Sequence, residues 1–157
     1  MLKLSSFFLF FFLFTSCSIK NYDINQSKIV IIKSPKIKFA DLAYVRSTDK
    51  AVELELFIAG TAIEKIQINH LVCVRAGCMS KAGFNEDYLS EFYPNSLLQN
   101  IILGHAIYNG KNKIENGYAF TQIIQTENVN ITYKVTPSMI YFKDKANKIL
   151  FKIKDIK

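Results

Sequence analysis

Cys17 is the first side chain in this sequence whose type and position suggest covalent chemistry. It directly follows the small residues Thr15 and Ser16, which come after the apolar run Phe7–Phe14. That run is shorter than the about 20 apolar residues that cross a bilayer, and its length fits a signal peptide. A cysteine after two small residues is the pattern at which a lipoprotein signal is cut, once the sulfur carries a diacylglycerol. We therefore predict that Cys17 is lipidated.

This prediction divides the chain into a signal peptide, residues 1–16, a lipidated tether, residues 17–28, and one domain, residues 29–157. The tether is polar and lacks periodicity. Phe14 stands where lipoprotein signals usually have Leu, so an ordinary secretory signal remains the alternative. Ser18, rather than Asp, follows the cysteine, which favours the outer membrane over the inner one. Membrane lipid is the first expected partner.

The net charge of the mature chain is positive but dispersed in the sequence. Of 20 basic and 13 acidic side chains, the signal removes Lys3, which leaves 19 − 13 = +6. A surplus of lysine attracts anionic lipid or nucleic acid. The lysines are scattered, however, and nucleic acid is the wrong partner for the cell envelope. We interpret them as a solvated surface and predict no nucleic-acid binding.

Cys73 and Cys78 form the second group of reactive side chains. Four residues separate them, and in an oxidising envelope a disulfide across this loop is the leading interpretation. The alternative is a zinc or copper site formed with His70, which lacks a fourth ligand. We predict a disulfide and no metal. The spacing also differs from the Cys-x-x-Cys motif of redox enzymes.

The sequence contains no recognisable catalytic constellation. The two histidines, His70 and His105, lie on a predicted strand and just after a predicted helix end. No nucleophile elbow, phosphate-binding loop or dinucleotide fingerprint occurs. We therefore predict that the protein is not an enzyme and requires no cofactor.

The elements that position these residues are mostly strands. Alternation of apolar and polar residues over Val52–Ile58 predicts a half-buried strand, and the same period continues through Ile66, Ile68, His70 and Val72. Further segments are rich in β-branched and aromatic residues and are bounded by turn residues. They are Ile29–Ile32, Ile37–Arg46, Tyr118–Gln125, Val129–Val135, Ser138–Phe142 and Ile149–Ile153.

Two helices are predicted between the strands. Phe84–Tyr93 is a weak helix with Asn85 as a possible cap, and Pro94–Leu103 is a stronger one that ends at Gly104. Strands, helices and strands in this order predict an α+β fold. Many strands with one apolar face would curl into a barrel or half-barrel, with the helices covering its concave face.

The order of these segments resembles a known family. Glu53–Thr61 with Ile66 and Ile68 looks like the strand–loop–strand of LolB, the outer-membrane lipoprotein receptor. Leu97-Leu98 before Gly104 is similar to its Leu-rich helix, and Ile131–Tyr133, Pro137–Met139 and Ile149–Ile153 resemble its closing strands. The resemblance covers residues 36–156.

The resemblance implies a strongly curved antiparallel half-barrel that binds lipid or lipoprotein acyl chains. A periplasmic lipoprotein carrier and its cargo lipoproteins would be its partners, and its role would be lipoprotein localisation to the outer membrane. The alternative is a non-enzymatic accessory lipoprotein of the outer membrane with a filled core. By alternation, the lining of the acyl-chain cavity would be Leu54, Leu56, Ile66, Ile68, Val129, Ile131, Tyr133, Ile140, Phe142, Phe151 and Ile153. The helix covering it would contribute Leu97, Leu98, Ile101 and Ile102.

The loop after the third predicted strand departs from the family pattern. LolB exposes a Leu there that is thought to push cargo into the bilayer. This sequence has Ala59, preceded by Ile58, so Ile58 and Ala59 are the candidates for a membrane-insertion loop. The chain also lacks Trp, of which the family has several, and it adds the cysteine pair.

Overall fold

The computed structural model describes residues 22–156, so the predicted signal peptide and Cys17 lie outside the described residues. Eleven strands form one antiparallel sheet, and two short helices interrupt the chain between the sixth and seventh strands. The first six strands are β1 (Ile24–Lys33), β2 (Lys38–Ser47), β3 (Val52–Ile58), β4 (Thr61–Ile68), β5 (Val72–Val74) and β6 (Gly77–Met79). The helices are α1 (Lys81–Tyr88) and α2 (Leu97–Leu103). The last five strands are β7 (Lys113–Asn116), β8 (Ala119–Gln125), β9 (Asn130–Thr136), β10 (Met139–Asp144) and β11 (Ile149–Asp155).

The two terminal strands of the chain meet in the middle of the sheet. The strand order is β6-β5-β4-β3-β2-β1-β11-β10-β9-β8-β7, so β1 pairs with both β2 and β11. Each half of the sheet is therefore a meander of consecutive hairpins, which needs only short connections. The short strands β6 and β7 are its two edges.

The pleat gives the sheet an inner face, which packs against the helices, and an outer face. In β3, Leu54 and Leu56 are at most 1% exposed and face inward, while Glu55 and Phe57 alternate with them. The core extends from Val30 to Ile153 and lies on the inner face. A chain that begins at Ser18 therefore retains every residue of the core.

Helix α2 lies inside the curl of the sheet. It contacts both β3 and β10, although β2, β1 and β11 stand between these two strands in the sheet. A single seven-residue helix reaches both because the open sheet curls around it. This agrees with the predicted α+β class, an antiparallel sheet with two short helices.

Helix α1 begins earlier than its sequence suggested. Ser80 is the N-cap, and its hydroxyl accepts a hydrogen bond from the backbone N–H of Gly83. The prediction that Asn85 caps this helix was wrong. Asn85 lies inside α1, buried, and its side-chain amide donates to the carbonyl oxygen of Tyr93. It therefore holds the chain that leaves the helix rather than its start.

Helix α2 ends where the sequence predicted. Gly104 adopts the left-handed conformation with φ of 70°, and its N–H bonds back into the last turn. The start was predicted three residues too early. Pro94 lies in a turn before the helix, and its carbonyl oxygen accepts a hydrogen bond from the backbone N–H of Leu97. The predicted apolar face is confirmed: Leu97, Leu98, Ile101 and Ile102 are all buried.

The strands differ from the sequence prediction in three respects. The interpretation of residues 17–28 as a tether fails from Ile24, because β1 begins there and its polar half pairs with Tyr44–Ser47 of β2. The alternation through His70 breaks at a turn, Asn69–Leu71, which separates β4 from β5. The edge strands β6 and β7 were not predicted at all, since they are three and four residues long.

Candidate functional site

The residues predicted to line an acyl-chain cavity lie together on the inner side of the curled sheet. Each of the eleven main candidates is at most 3% exposed, and they belong to one continuous core cluster. They are Leu54, Leu56, Ile66, Ile68, Leu97, Leu98, Ile101, Ile131, Tyr133, Phe142 and Phe151. The aromatic members Tyr133, Phe142 and Phe151 meet edge to face, with ring centroids 6.1 to 6.2 Å apart. Their side chains fill the space that they enclose.

The open volume on the inner side lies at the C-terminal end of α2. A partly open cavity of about 200 Å³ lies there between the helix end, the start of β1 and the β9–β10 hairpin. Three residues named from the sequence line it, namely Ile102, Ile140 and Ile153. The apolar residues that the sequence analysis did not identify are Ile24, Val45, Leu103, Val135 and Met139.

The cavity is apolar at one end and polar at the other. Val45, Ile102 and Ile153 are buried, at 3 to 4% exposed, whereas the lining also includes the more exposed Lys28 and Asp155. Lys28 and Asp155 face each other in the β1–β11 register and form an ion pair. The mouth of the cavity therefore carries a charge pair above an apolar interior, which suits an amphipathic guest.

Gly104 brings the end of α2 against the wall of this cavity. A Cβ atom at this position would lie 3.3 Å from side-chain carbons of both Val135 and Ile140. The φ of 70° also disfavours any other residue. The close approach explains why this helix ends at the hairpin between β9 and β10.

Tyr133 ties the same helix end to the sheet. Its hydroxyl donates a hydrogen bond to the carbonyl oxygen of His105 at 2.9 Å, and the carbonyl oxygen of Asn100 lies 3.3 Å away. Burial raises the pKa of Tyr133 above its ordinary value, which keeps the phenol protonated as a donor. The hydroxyl therefore joins β9 to the segment that leaves α2, next to the backbone hydrogen bond from His105 to Asn100 that closes the helix end.

The predicted insertion loop is a tight turn at the other end of the sheet. Ala59 and Gly60 both have positive φ, as a two-residue hairpin between β3 and β4 requires, and Ile58 is 49% exposed. Because Ser47 pairs with both Ile24 and Val52, the starts of β1 and β3 lie at the same end. The turn is therefore about 20 Å along β3 from the end of the sheet at which β1 begins.

A second pocket of about 220 Å³ lies beside a buried carboxylate on the outer face. Glu53 is 4% exposed and accepts from Arg46 at 2.7 Å and from the side-chain amide of Gln67 at 2.8 Å. Lys65 lies 3.1 Å from the same carboxylate. Burial alone would raise the pKa of Glu53, but these hydrogen bonds outweigh it and lower the pKa. The group is a fully paired charge cluster that joins β2, β3 and β4.

The predicted disulfide is confirmed. Cys73 and Cys78 occupy directly opposite positions in the β5–β6 hairpin, and their sulfur atoms are bonded. The alternative metal site with His70 is thereby overturned, because bonded sulfurs do not serve as thiolate ligands. His70 itself is exposed in the turn before β5. Within residues 22–156, no group of three His, Cys, Asp or Glu side chains is placed to hold a metal ion.

Over the same described range, no helix has the length and apolar character needed to span a membrane. His105 is exposed just past Gly104, and Cys17 lies outside the described residues.

No protein-family model, curated protein or solved structure matches this chain.

Proposed function

We propose that this protein is a lipid-anchored envelope protein that binds an acyl chain inside its curled sheet. In this proposal Cys17 carries the anchor, and the domain has a LolB-like half-barrel role in bringing lipoproteins to the outer membrane. The donor would be a periplasmic carrier protein. The signal pattern before Cys17 and the family resemblance of the strand order support this interpretation.

The observation that carries the proposal is the cavity at the end of α2. Its interior is formed by Val45, Ile102 and Ile153, and its mouth by the ion pair of Lys28 with Asp155. An acyl chain would lie along the apolar interior, with its ester or head group at the ammonium of Lys28. Each methylene removed from water contributes about 0.8 kcal/mol, so binding needs no covalent chemistry.

A longer acyl chain needs more space than this cavity offers. Helix α2, of seven residues, closes the neighbouring inner face. Its buried residues Leu97, Leu98 and Ile101 cover the core. We infer that α2 moves outward to admit the guest, which then replaces the helix against Leu56 and Ile131. The C-terminal end of α2 would be the hinge of this movement, because Gly104 and the hydrogen bond of Tyr133 hold that end against the sheet.

One observation favours the alternative, a non-enzymatic accessory lipoprotein with a filled core. The predicted lining residues are packed against one another and are at most 3% exposed. If α2 never leaves the sheet, the inner side offers a ligand the cavity at the end of the helix and no space among the predicted lining residues. The protein would then act through its surface rather than through its interior.

Titration of a fluorescent fatty-acyl probe into the chain from Ser18 separates these two functions. Val135→Trp places a large ring in the cavity and should weaken probe binding at least tenfold, whereas Ile123→Trp on the outer face should not change it. Equal affinity of both variants, or absence of saturable binding, would reject the acyl-chain proposal and leave the accessory function. Depletion of the protein in cells should also cause other lipoproteins to accumulate in the periplasm.

A further inference from the structure

Lysines that are scattered in the sequence are gathered by the sheet register onto the outer face of one half of the sheet. Strands β1, β11, β10 and β9 lie side by side there. Their outward positions form three rows across the strands. The rows are Lys33–Leu150–Lys143–Thr132, Ile31–Lys152–Tyr141–Lys134 and Ile29–Lys154–Met139–Thr136. We call the surface formed by Lys33, Lys134, Lys143, Lys152 and Lys154 the lysine face.

The lysine face carries unbalanced positive charge. At the outward positions of these four strands there is no aspartate or glutamate. None of its five lysines forms a salt bridge within residues 22–156. The outer face of β2 and β3 is different, since Arg46 there is paired with Glu53 and Glu55.

Apolar or aromatic side chains stand next to lysines in every row, and in two rows they lie between two lysines. Tyr141 is flanked by Lys152 and Lys134, and Leu150 by Lys33 and Lys143. The five apolar or aromatic residues in the rows are all at least partly exposed, and Ile29 is 38% exposed. They are Ile29, Ile31, Met139, Tyr141 and Leu150. A row that alternates ammonium groups with apolar and phenolic side chains matches the boundary between lipid head groups and acyl chains.

We propose that the lysine face binds the surface of an anionic phospholipid bilayer. Each lysine near such a surface should strengthen binding about fivefold, because its attraction to anionic lipid is about 1 kcal/mol. The lipid phosphates supply the negative charge that the protein does not provide on this face. Docking through this face does not use Val45, Ile102 or Ile153 of the cavity, which lie on the inner side of the sheet, although Met139 borders both surfaces.

The position of the chain's own anchor is compatible with this docking. Cys17 precedes Ile24 by 24 − 17 = 7 residues, which span at most about 25 Å when extended. Strand β1 is itself part of the lysine face. A lipid on Cys17 therefore enters the same bilayer on which β1 and β11 would lie, and the two attachments act together.

Vesicle binding of the unlipidated chain from Ser18 tests the proposal. Vesicles of phosphatidylcholine with about a third of phosphatidylserine should bind this chain, and pure phosphatidylcholine vesicles should bind it much less. Lys134→Gln with Lys152→Gln should weaken binding about 25-fold, as two lysines at fivefold each. The matched control, Lys50→Gln with Lys111→Gln, makes the same change in net charge at exposed positions off the face.

Equal weakening by both double variants would overturn the proposal, because net charge alone would then explain binding. Failure of the chain to prefer anionic vesicles would also overturn it. So would tighter binding to a duplex oligonucleotide at equal phosphate concentration, since the face would then be a nucleic-acid surface. The acyl-probe titration uses no vesicles, so the result of one experiment can reject its own proposal and leave the other standing.

Discussion

The hydroxyl of Tyr93 donates a hydrogen bond to the carboxylate of Asp144 across 2.6 Å, and both side chains are buried. Tyr93 precedes α2, and Asp144 is the last residue of β10. The same carboxylate accepts from the backbone N–H groups of Asn130 and Ala146. One charged group thus joins the segment before α2 to two hairpins of the sheet.

This relationship predicts a loss of stability in acid. Burial alone would raise the pKa of Asp144, but the hydrogen bonds from Tyr93, Asn147 and two backbone groups lower it below its usual range. A lowered folded pKa stabilises the fold above the unfolded value of about 3.9, and that contribution is lost as the pH falls through the folded value. Removing the donor in Tyr93→Phe should therefore cost about 2 kcal/mol at pH 7 and less at pH 2.

Urea denaturation of both proteins between pH 2 and pH 7 measures this difference. Tyr118→Phe is the control, because Tyr118 is 95% exposed and should tolerate the change at every pH. A difference between Tyr93→Phe and the parent that stays constant across this range would contradict the ionised state assigned to Asp144.

The disulfide predicts a stability difference between oxidised and reduced protein. The loop it closes has a sequence separation of 5, for which loop-closure entropy gives about 2 kcal/mol. Cys73→Ser with Cys78→Ser should lower the free energy of unfolding by about this amount. Cys73 and Cys78 should resist thiol labelling until the protein is reduced. Labelling of the unreduced protein at these positions would show that the bridge is absent.

Replacement of Gly104 by alanine should destabilise the fold for two reasons, and the same replacement at Gly60 separates them. Gly104→Ala meets both a positive φ and two side-chain contacts at 3.3 Å, whereas Gly60→Ala meets a φ of 81° with open space around its Cβ. We expect about 1 kcal/mol for Gly60→Ala and at least 1 kcal/mol more for Gly104→Ala. Adding Val135→Ala should recover part of the excess, as a thermal-unfolding cycle would reveal. Equal costs at both glycines would refute the close packing of α2 on the hairpin.

Cys17 predicts a difference in membrane attachment. Growth of producing cells with labelled palmitate should label the wild-type protein, and Cys17→Ser should abolish the label, since the sulfur is the proposed lipid acceptor. Cys73→Ser with Cys78→Ser is the matched control and should retain it. Label that persists in Cys17→Ser would exclude the lipoprotein assignment.

Local patterns in the sequence were sufficient to predict the elements with a clear apolar–polar period or a clear terminating residue. Val52–Ile58 has the bounds that its alternation predicted, and Gly104 ends α2 as expected. Ile24–Lys28 was missed because backbone pairing with β2, rather than apolar side chains, makes it a strand. The cavity and the lysine face were missed for a related reason: both depend on which strands are neighbours. No local signal states that Lys152 lies between Ile31 and Tyr141.

The two edges of the sheet have a consequence for association between copies of the chain. A long unpaired strand at an edge would let the sheet of one molecule extend into the sheet of the next. Here the edges are β6, three residues closed by a disulfide, and β7, four residues with Lys113 and Glu115 in them. Both edges offer few unpaired backbone groups, and the charges on β7 further disfavour pairing with another sheet. Copies of this chain should therefore stay separate at high concentration rather than join into fibres.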